Sequence, residues 1–363
     1  MTSMYVNPVA RQWTCPPPEQ AVSIFHKSLP NYIPTPLIEF PTIANELGVG
    51  RVFVKDESAR LDLAAFKILG ASWAVAQALT HGGAPRSLND VRANMDSGAT
   101  MLVAATDGNH GRAVAHMARL LDLQCQIVVP SGISEQAINN IRTENALVIE
   151  IDGSYDDAVD HARLIATHEP GAVHIQDMSW PGYEEIPTWI IDGYTTMCSE
   201  VDQQLVDIGS APVDLVAVPV GVGSLLHSVV THYRSSGRQP CVLSVEPVNA
   251  ACVLESLQRG ELTSVETGFT IMAGMNCGTP SSDSWPIHQA GVDAAISLVD
   301  DDTRIAMNDL ATAHIDSGPC GSSTLAGVRA ALSTDARRHD LGITSKSVIV
   351  LLSTEGTAAN PMS

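Results

Sequence analysis

The chain has 363 residues, of which 45% are hydrophobic and 17% charged, and this composition predicts a folded protein of about two domains. Its 20 lysines and arginines against 40 aspartates and glutamates give a formal net charge of −20. Nucleic acid and anionic membrane surfaces are therefore poor partners, because no excess of basic residues is available to neutralise phosphate groups.

The cysteines and the start of the chain predict a cytoplasmic protein. The seven cysteines are scattered and contain no C-x-x-C pair, which is typical of reduced thiols, although a single bridge between Cys252 and Cys277 stays open. The first residues lack a basic segment followed by an apolar one, so we expect no secretion signal. The longest apolar stretch, 213–230, is interrupted by Pro219 and predicts a buried strand and helix rather than a membrane span. The twelve histidines show no H-x-x-x-H spacing, and we expect no metal site.

In chain order, the first thirty residues are rich in proline and predict an irregular arm. From residue 51 onward, short runs rich in valine and isoleucine alternate with longer alanine- and leucine-rich patterns, interrupted by a loose linker at 81–99. Because the predicted strands are apolar throughout, this alternation indicates an α/β fold with two parallel sheets, each flanked by helices. The predicted strands are 51–55, 101–105, 124–129, 147–151, 173–176, 215–220, 242–246 and 348–352, and the predicted helices include 66–79, 112–121, 134–144, 155–167 and 225–233.

Parallel α/β sheets bind ligands at the carboxyl ends of their strands, so the segments that follow strands are candidate sites. In the first such segment Lys67 stands among apolar residues at the start of a predicted helix. Desolvation and the helix dipole would lower the pKa of this lysine and make it an amine nucleophile able to form a Schiff base. A lysine that only extends its apolar stem along the surface is the alternative.

The second segment, Thr-Asp-Gly-Asn-His-Gly at 106–111, follows the strand at 101–105. There Asp107 could move a proton and Asn109 could bind a ligand oxygen. A helix N-cap would explain one polar residue at this point, but it does not explain a run of them between two apolar segments.

The third segment consists of Gly221, Val222, Gly223 and Ser224, between a predicted strand and a predicted helix. Backbone N–H groups of a glycine turn at a helix N-terminus bind phosphate. A dinucleotide site is an alternative, with Glu246 as the acid that binds a ribose, and a turn without a ligand also stays open. Leu226 stands where the dinucleotide pattern needs a third glycine, which favours a single phosphate.

The fourth segment, Ser-Thr-Glu-Gly at 353–356, places the hydroxyls of Ser353 and Thr354 directly after a strand, where they could bond a heterocycle. A reactive lysine, a cradle for one phosphate, a polar asparagine turn and a hydroxyl at a strand end together predict a pyridoxal phosphate site. An oxidoreductase that uses the glycine turn for a nicotinamide cofactor, or a binding protein without activity, stays open from these residues alone.

The order of these segments resembles the fold-type-II pyridoxal phosphate enzymes, which include threonine dehydratase and the tryptophan synthase β subunit. The segments are Ala-Phe-Lys-x-x-Gly, Thr-Asp-Gly-Asn-His-Gly-Arg, Gly-x-Gly-Ser and Ser-x-x-Gly. In closer detail the chain is similar to the diaminopropionate ammonia-lyase family. That similarity covers about residues 30–360 and is carried by 32–37, 54–58, 176–183, 271–278 and 352–356.

The resemblance implies a large cofactor-binding domain of residues 1–78 and 183–363, a small mobile α/β domain of residues 79–182, and a homodimer. Lys67 would carry pyridoxal phosphate as a Schiff base, and Asn109 would bond the pyridoxal hydroxyl. The segment 221–224 would hold the phosphate, while Ser353, or as second choice Thr354, would face the ring nitrogen.

The reaction implied by the resemblance is α,β-elimination of 2,3-diaminopropionate, as the L-isomer and also the D-isomer, to pyruvate and two molecules of ammonia. Lys67 would take the Cα proton of the L-isomer and Asp107 that of the D-isomer, while Asp177 would help to bind or deprotonate the second amino group. A serine/threonine dehydratase-type lyase acting on another β-substituted amino acid is the alternative. Position 107 separates the two, because the commoner dehydratase turn carries serine there.

Overall fold

The computed structural model of this protein describes residues 4–18, 21–106, 108–235, 237 and 239–359. The strands are β1 Met4–Val6, β2 Leu37–Glu39, β3 Arg51–Asp56, β4 Met101–Ala105, β5 Gln124–Pro130, β6 Leu147–Ile151, β7 Ala172–His174, β8 Leu215–Pro219, β9 Cys241–Pro247, β10 Ala294–Leu298 and β11 Val348–Ser353. The α-helices are α1 Ala21–Ser28, α2 Pro41–Leu47, α3 Lys67–Leu79, α4 Leu88–Asn94, α5 Asn109–Leu120, α6 Glu135–Arg142, α7 Tyr155–His168, α8 Glu185–Asp207, α9 Ser224–Ser235, α10 Cys252–Arg259, α11 Trp285–Gly291, α12 Asp300–Thr312, α13 Pro319–Ala331 and α14 Asp335–Leu341.

The larger sheet has seven strands in the order β1-β10-β9-β8-β11-β3-β2. Its five central strands are parallel, and β1 and β2 pair antiparallel with the two edges. The residues of β8, β9 and β11 are buried throughout, because helices cover both faces of the sheet. Since β11 lies between β3 and β8, the segments that follow these three strands meet at one edge.

The smaller sheet has four parallel strands in the order β6-β5-β4-β7, all formed by residues 101–174. In the chain it lies between α3 and α8, two helices that pack against each other beside the larger sheet. The main hydrophobic core includes Phe53 of the larger sheet, Trp73 of α3 and Leu102 of the smaller sheet, so side chains of both sheets share one core.

Small residues bring α3 close to α8. A Cβ atom at Gly70 would lie 2.6 Å from Cε1 of Tyr194, and one at Gly193 would lie 2.4 Å from the carbonyl oxygen of Leu69. Nearly every residue of α3 after the first is buried, so the helix is fixed by packing on most of its sides. Its first residue, Lys67, is therefore held at a defined place at the strand edge.

The fold class predicted from the sequence is confirmed, and all eight predicted strands are present with ends that differ by at most two residues. The first thirty residues, expected to be irregular, contain β1 and α1, which are too short to give a clear periodic pattern. The expected linker contains α4, whose N-cap Ser87 accepts a hydrogen bond of 3.1 Å from the backbone N–H of Asp90. Helix α5 begins at Asn109, three residues before the predicted start.

None of the seven cysteines, all of which lie in the described ranges, forms a disulfide, so the bridge left open between Cys252 and Cys277 is not formed in this structure. Within the described ranges, no helix is long and apolar enough to cross a bilayer. The same ranges contain no group of three or more histidine, cysteine or acidic side chains placed to hold a metal ion.

Candidate active site

Lys67 begins α3 at the carboxyl edge of the larger sheet. Its Nζ donates a hydrogen bond of 2.7 Å to Oδ2 of Asp177, and 27% of its side chain is exposed. The sequence predicts a desolvated amine here, and the structure adds a buried carboxylate in contact with it.

Asp177 lies in the loop after β7 and is buried. Burial by itself would raise the pKa of this carboxyl, but the charges of Lys67 and His110 and the hydrogen bond from Lys67 hold it well below its usual range. Its other oxygen, Oδ1, lies 3.5 Å from both the hydroxyl of Tyr155 and Nε2 of Gln176. Asp177 is therefore ionised at neutral pH and can bind a cation.

Asn109 lies in the first turn of α5, and its Nδ2 donates a hydrogen bond of 3.1 Å to Oε2 of Glu355. Glu355 follows β11 and also accepts, through Oε1, a bond of 3.3 Å from the backbone N–H of Cys320 at the start of α13. The carboxylate of Glu355 therefore links the segment at 106–111 to the segment at 353–356 by a hydrogen bond. Asp107, predicted to be a catalytic acid–base, lies outside the described residues.

The turn at 221–224 connects β8 to α9, a helix of twelve residues. No hydrogen bond within the described part of the chain uses the backbone N–H groups of these four residues. Gly223 has a φ of +103°, and a Cβ atom there would lie 2.2 Å from Cε1 of His288, so only glycine fits without displacement. The carbonyl oxygen of Val222 accepts a hydrogen bond from the backbone N–H of Ser281, and that of Gly223 accepts one from Nε2 of His288. These two bonds hold the turn in place.

The dinucleotide alternative needed Glu246 as a ribose-binding acid. In the structure this carboxylate is buried and accepts hydrogen bonds of 2.8 and 2.7 Å from the backbone N–H groups of Val253 and Leu254, at the start of α10. Glu246 is thus a cap of a helix and is not available to a ribose.

Ser353 is the last residue of β11 and is buried, with its Oγ donating a hydrogen bond of 2.7 Å to Oγ of Ser317. Thr354 is buried next to it, and its carbonyl oxygen accepts from the backbone N–H of Phe66, the residue before Lys67. The segment that carries the lysine is thus bonded directly to the end of β11.

A chain of contacts joins the described parts of all four predicted segments. Ser224 Oγ donates to the carbonyl oxygen of Asp177 over 3.4 Å, and Asp177 bonds Lys67. Phe66, the neighbour of Lys67, bonds Thr354, and Glu355, the neighbour of Thr354, accepts a hydrogen bond from Asn109. Segments that are far apart in sequence therefore form one site at the carboxyl ends of the strands.

Residues 29–354 match the family model of the pyridoxal-phosphate dependent enzymes. The diaminopropionate ammonia-lyase of Salmonella typhimurium is 38% identical over 291 residues, which cover 77% of this chain and 72% of that protein. The enzyme of the same name from Escherichia coli is 33% identical over 348 residues, covering 92% of this chain and 86% of that protein. The chain belongs to the diaminopropionate ammonia-lyase family, within the pyridoxal-phosphate dependent enzymes.

Solved structures agree with this membership. The crystal structure of the Escherichia coli diaminopropionate ammonia lyase in complex with D-serine has a TM-score of 0.89 and 30% identity, and the match covers 99% of this chain and 94% of that one. Maize serine racemase, at 21% identity and a TM-score of 0.76, shares the fold. The cofactor of the family is pyridoxal phosphate, as the sequence predicted.

The site fits this cofactor by its donor set. The backbone N–H groups of 221–224 lie at the N-terminus of α9, as a phosphate site requires. The amine of Lys67 is partly exposed, so an aldehyde can reach it. Asn109 supplies an amide, and Ser353 supplies a neutral hydroxyl rather than a carboxylate.

Three residues of this family member that our sequence analysis did not select lie at the site. His110 is buried with Nδ1 3.9 Å from Oδ2 of Asp177. Burial raises the pKa of Tyr194 to about 12, although the charge of the nearby Lys67 acts to lower it. Glu355 bonds Asn109. His110 and Glu355 stand inside the motifs we examined, but only the contacts in the folded chain reveal what they bond.

Proposed function

We propose that this protein catalyses α,β-elimination of 2,3-diaminopropionate, L- and D-isomer, to pyruvate and two molecules of ammonia. The observation that carries the proposal is the ion pair between Lys67 and the buried, ionised Asp177 beside the glycine turn. A carboxylate in contact with one amine can bind another, and diaminopropionate has one amino group more than serine or threonine.

We also propose a role for each residue of the site, and the contacts described above support these roles. Asn109 would bond the pyridoxal hydroxyl, Ser353 (with Thr354 as second choice) would face the ring nitrogen, and residues Gly221, Val222, Gly223 and Ser224 would bind the phosphate through backbone N–H groups and a hydroxyl. When bound, the cofactor supplies an aldehyde for the substrate amine and a sink for the electrons released at Cα.

The protein's own groups then move the protons. Lys67 takes the Cα proton of the L-isomer, and Asp107 takes that of the D-isomer. Asp177 binds the second amino group, which leaves from Cβ as ammonia with the electron pair of the broken bond. Water releases the other nitrogen as the second ammonia and leaves pyruvate.

A substrate panel tests the proposal. Pyruvate release from L- and D-diaminopropionate is compared with release from L-serine and L-threonine, using the holoenzyme and the variant Lys67→Ala. We expect diaminopropionate to be the best substrate and Lys67→Ala to lose about a thousandfold or more in kcat, together with the borohydride-sensitive yellow colour. Equal or better turnover of serine would contradict the substrate, and an unchanged Lys67→Ala would contradict the site.

The wider organisation is part of the same proposal. Residues 79–182, which include every strand of the smaller sheet, would move as a small domain against residues 1–78 and 183–363. We further propose a homodimer that degrades amino acids in the cytoplasm, a reducing compartment that suits seven cysteines without a disulfide. Light scattering of the holoenzyme measures the mass, and a monomer would contradict the dimer.

A further inference from the structure

The hydroxyl of Tyr194 is buried without a hydrogen-bond partner. Tyr194 lies in α8 and is 1% exposed, and its ring packs against Gly70 and on the ring of Phe66, with 4.7 Å between the two ring centroids. Within the described part of the chain, the hydroxyl oxygen forms no hydrogen bond. Such a hydroxyl costs stability, because its bonds to water in the unfolded chain are not replaced on folding. Most buried hydroxyls are bonded, so this exception at the site indicates a use in the reaction.

The amine of Lys67 lies beside this hydroxyl. Nζ of Lys67 is 5.8 Å from the centroid of the Phe66 ring, the same ring on which Tyr194 packs. Burial keeps the hydroxyl protonated at neutral pH, although the charge of the nearby amine acts to lower the pKa of Tyr194. Because a lysine has a flexible stem, rotation of its bonds can bring the amine into hydrogen-bond contact with the fixed hydroxyl.

A neutral hydroxyl suits an amine that acts as a base. In the structure Nζ of Lys67 donates to Oδ2 of Asp177, and a carboxylate favours the charged form of an amine. To take a proton from Cα, the amine must instead be neutral and have its lone pair free. The hydroxyl of Tyr194 can hold the amine in place without favouring the charged form.

Resting on the proposed function, we propose that Tyr194 is a positioning residue whose hydroxyl oxygen accepts a hydrogen bond from the amine of Lys67 and directs the amine at Cα of the L-isomer. An N–H of the amine donates this bond, so the lone pair on nitrogen stays free. The Cα–H bond then breaks, an N–H bond forms on Lys67, and the electron pair of the broken bond stays on the substrate. Tyr194 keeps its own proton throughout.

The test compares the two isomers of one substrate in the holoenzyme of Tyr194→Phe. The proposed function assigns the Cα proton of the L-isomer to Lys67 and that of the D-isomer to Asp107. We therefore expect kcat for L-diaminopropionate to fall about tenfold or more, while kcat for the D-isomer stays within about threefold of wild type. The L- and D-isomers of β-chloroalanine provide the same comparison with a different leaving group.

A second readout does not depend on turnover. Phenylalanine removes a buried hydroxyl that has no partner, so the urea midpoint of Tyr194→Phe should equal or exceed that of wild type. Tyr183→Phe is the matched control, since the hydroxyl of Tyr183 accepts from the backbone N–H of Gln176 and donates to the carbonyl oxygen of His174, both over 2.8 Å. The same substitution at Tyr183 should lower the midpoint.

Three results would overturn the inference: a lower urea midpoint for Tyr194→Phe, an unchanged kcat for the L-isomer, or equal losses on the two isomers. If wild type releases pyruvate from β-chloroalanine but not from diaminopropionate, the proposed substrate is wrong. The two isomers of β-chloroalanine then still decide the role of Tyr194.

Discussion

The amine of Lys67 and the carboxylate of Asp177 are bonded over 2.7 Å, although 110 positions separate them in the chain. The bond joins the first residue of α3 to the loop that follows β7 of the smaller sheet. Because the pKa of Asp177 is held well below its usual range, the carboxylate is charged whenever the enzyme is near neutral pH. The amine that becomes the cofactor's anchor thus contacts the group expected to recognise the substrate's second amine.

Asp177→Asn should change substrate preference. The amide keeps the shape of the side chain but loses the charge that attracts an ammonium group. We expect kcat/KM for diaminopropionate to fall about a hundredfold or more and the value for serine to fall much less. The ratio of the two values, measured by pyruvate release, checks this. Equal losses on the two substrates would mean that Asp177 acts on a step common to both.

Gly223→Ala should weaken cofactor binding. The new Cβ would lie 2.2 Å from the ring of His288, at a φ of +103°. We expect the free energy of unfolding to fall by about 1–3 kcal/mol and pyridoxal phosphate to bind more weakly, as measured by thermal melts and cofactor titration. Gly209→Ala is the matched control, since Gly209 also has a positive φ of +63° but nothing within 4 Å of the added atom. Similar cofactor affinity in both variants would contradict a role for the turn.

Arg60→Leu should destabilise the fold strongly. Arg60 is fully buried and bonds the carboxylates of Glu57 and Glu200, so its removal leaves the buried charge of Glu57 without its ion-pair partner, while Glu200 keeps Lys55. We expect a loss of about 3–5 kcal/mol in urea unfolding. Arg51→Leu breaks a similar two-bond pair with Glu39 at the surface and should cost less than about 1 kcal/mol. Comparable losses in the two variants would show that burial does not set the cost.

The positions of the site segments could be predicted because each one follows an apolar strand. The glycine turn and Ser353 stand at the ends of β8 and β11, and Lys67 begins α3, the helix that comes after β3 in the chain. Parallel strands bring their ends together. Asp177 directly follows the predicted strand 173–176, but only the family resemblance led us to select it.

The partners of these residues could not be predicted, since they depend on how distant segments pack. The bond from Asn109 to Glu355 crosses 246 positions, and no local pattern specifies it. Glu246 had the spacing of a ribose-binding acid, but its actual partners are backbone groups of α10. The contact between Lys67 and Asp177 likewise joins α3 to a loop 110 positions further along the chain.

Glu246 should make stability depend on pH. Burial raises the pKa of Glu246 to about 8, although the two hydrogen bonds from backbone N–H groups favour the carboxylate and act to lower it. In the unfolded chain the pKa is about 4.3. Between these values the folded protein holds a proton that the unfolded chain has released, so the stability from this group is complete below about 4.3 and is lost as pH rises through about 8.

The variant Glu246→Gln isolates this effect, because glutamine offers an oxygen to the same N–H groups and does not titrate. Between about pH 5 and about 8, wild type should lose up to about 1.4 kcal/mol of unfolding free energy per pH unit relative to the variant. Urea unfolding at several pH values measures the difference. Glu261→Gln, at an exposed site, should run parallel to wild type. Parallel curves for Glu246→Gln and wild type would mean that the buried carboxyl is already ionised in the folded protein at pH 5.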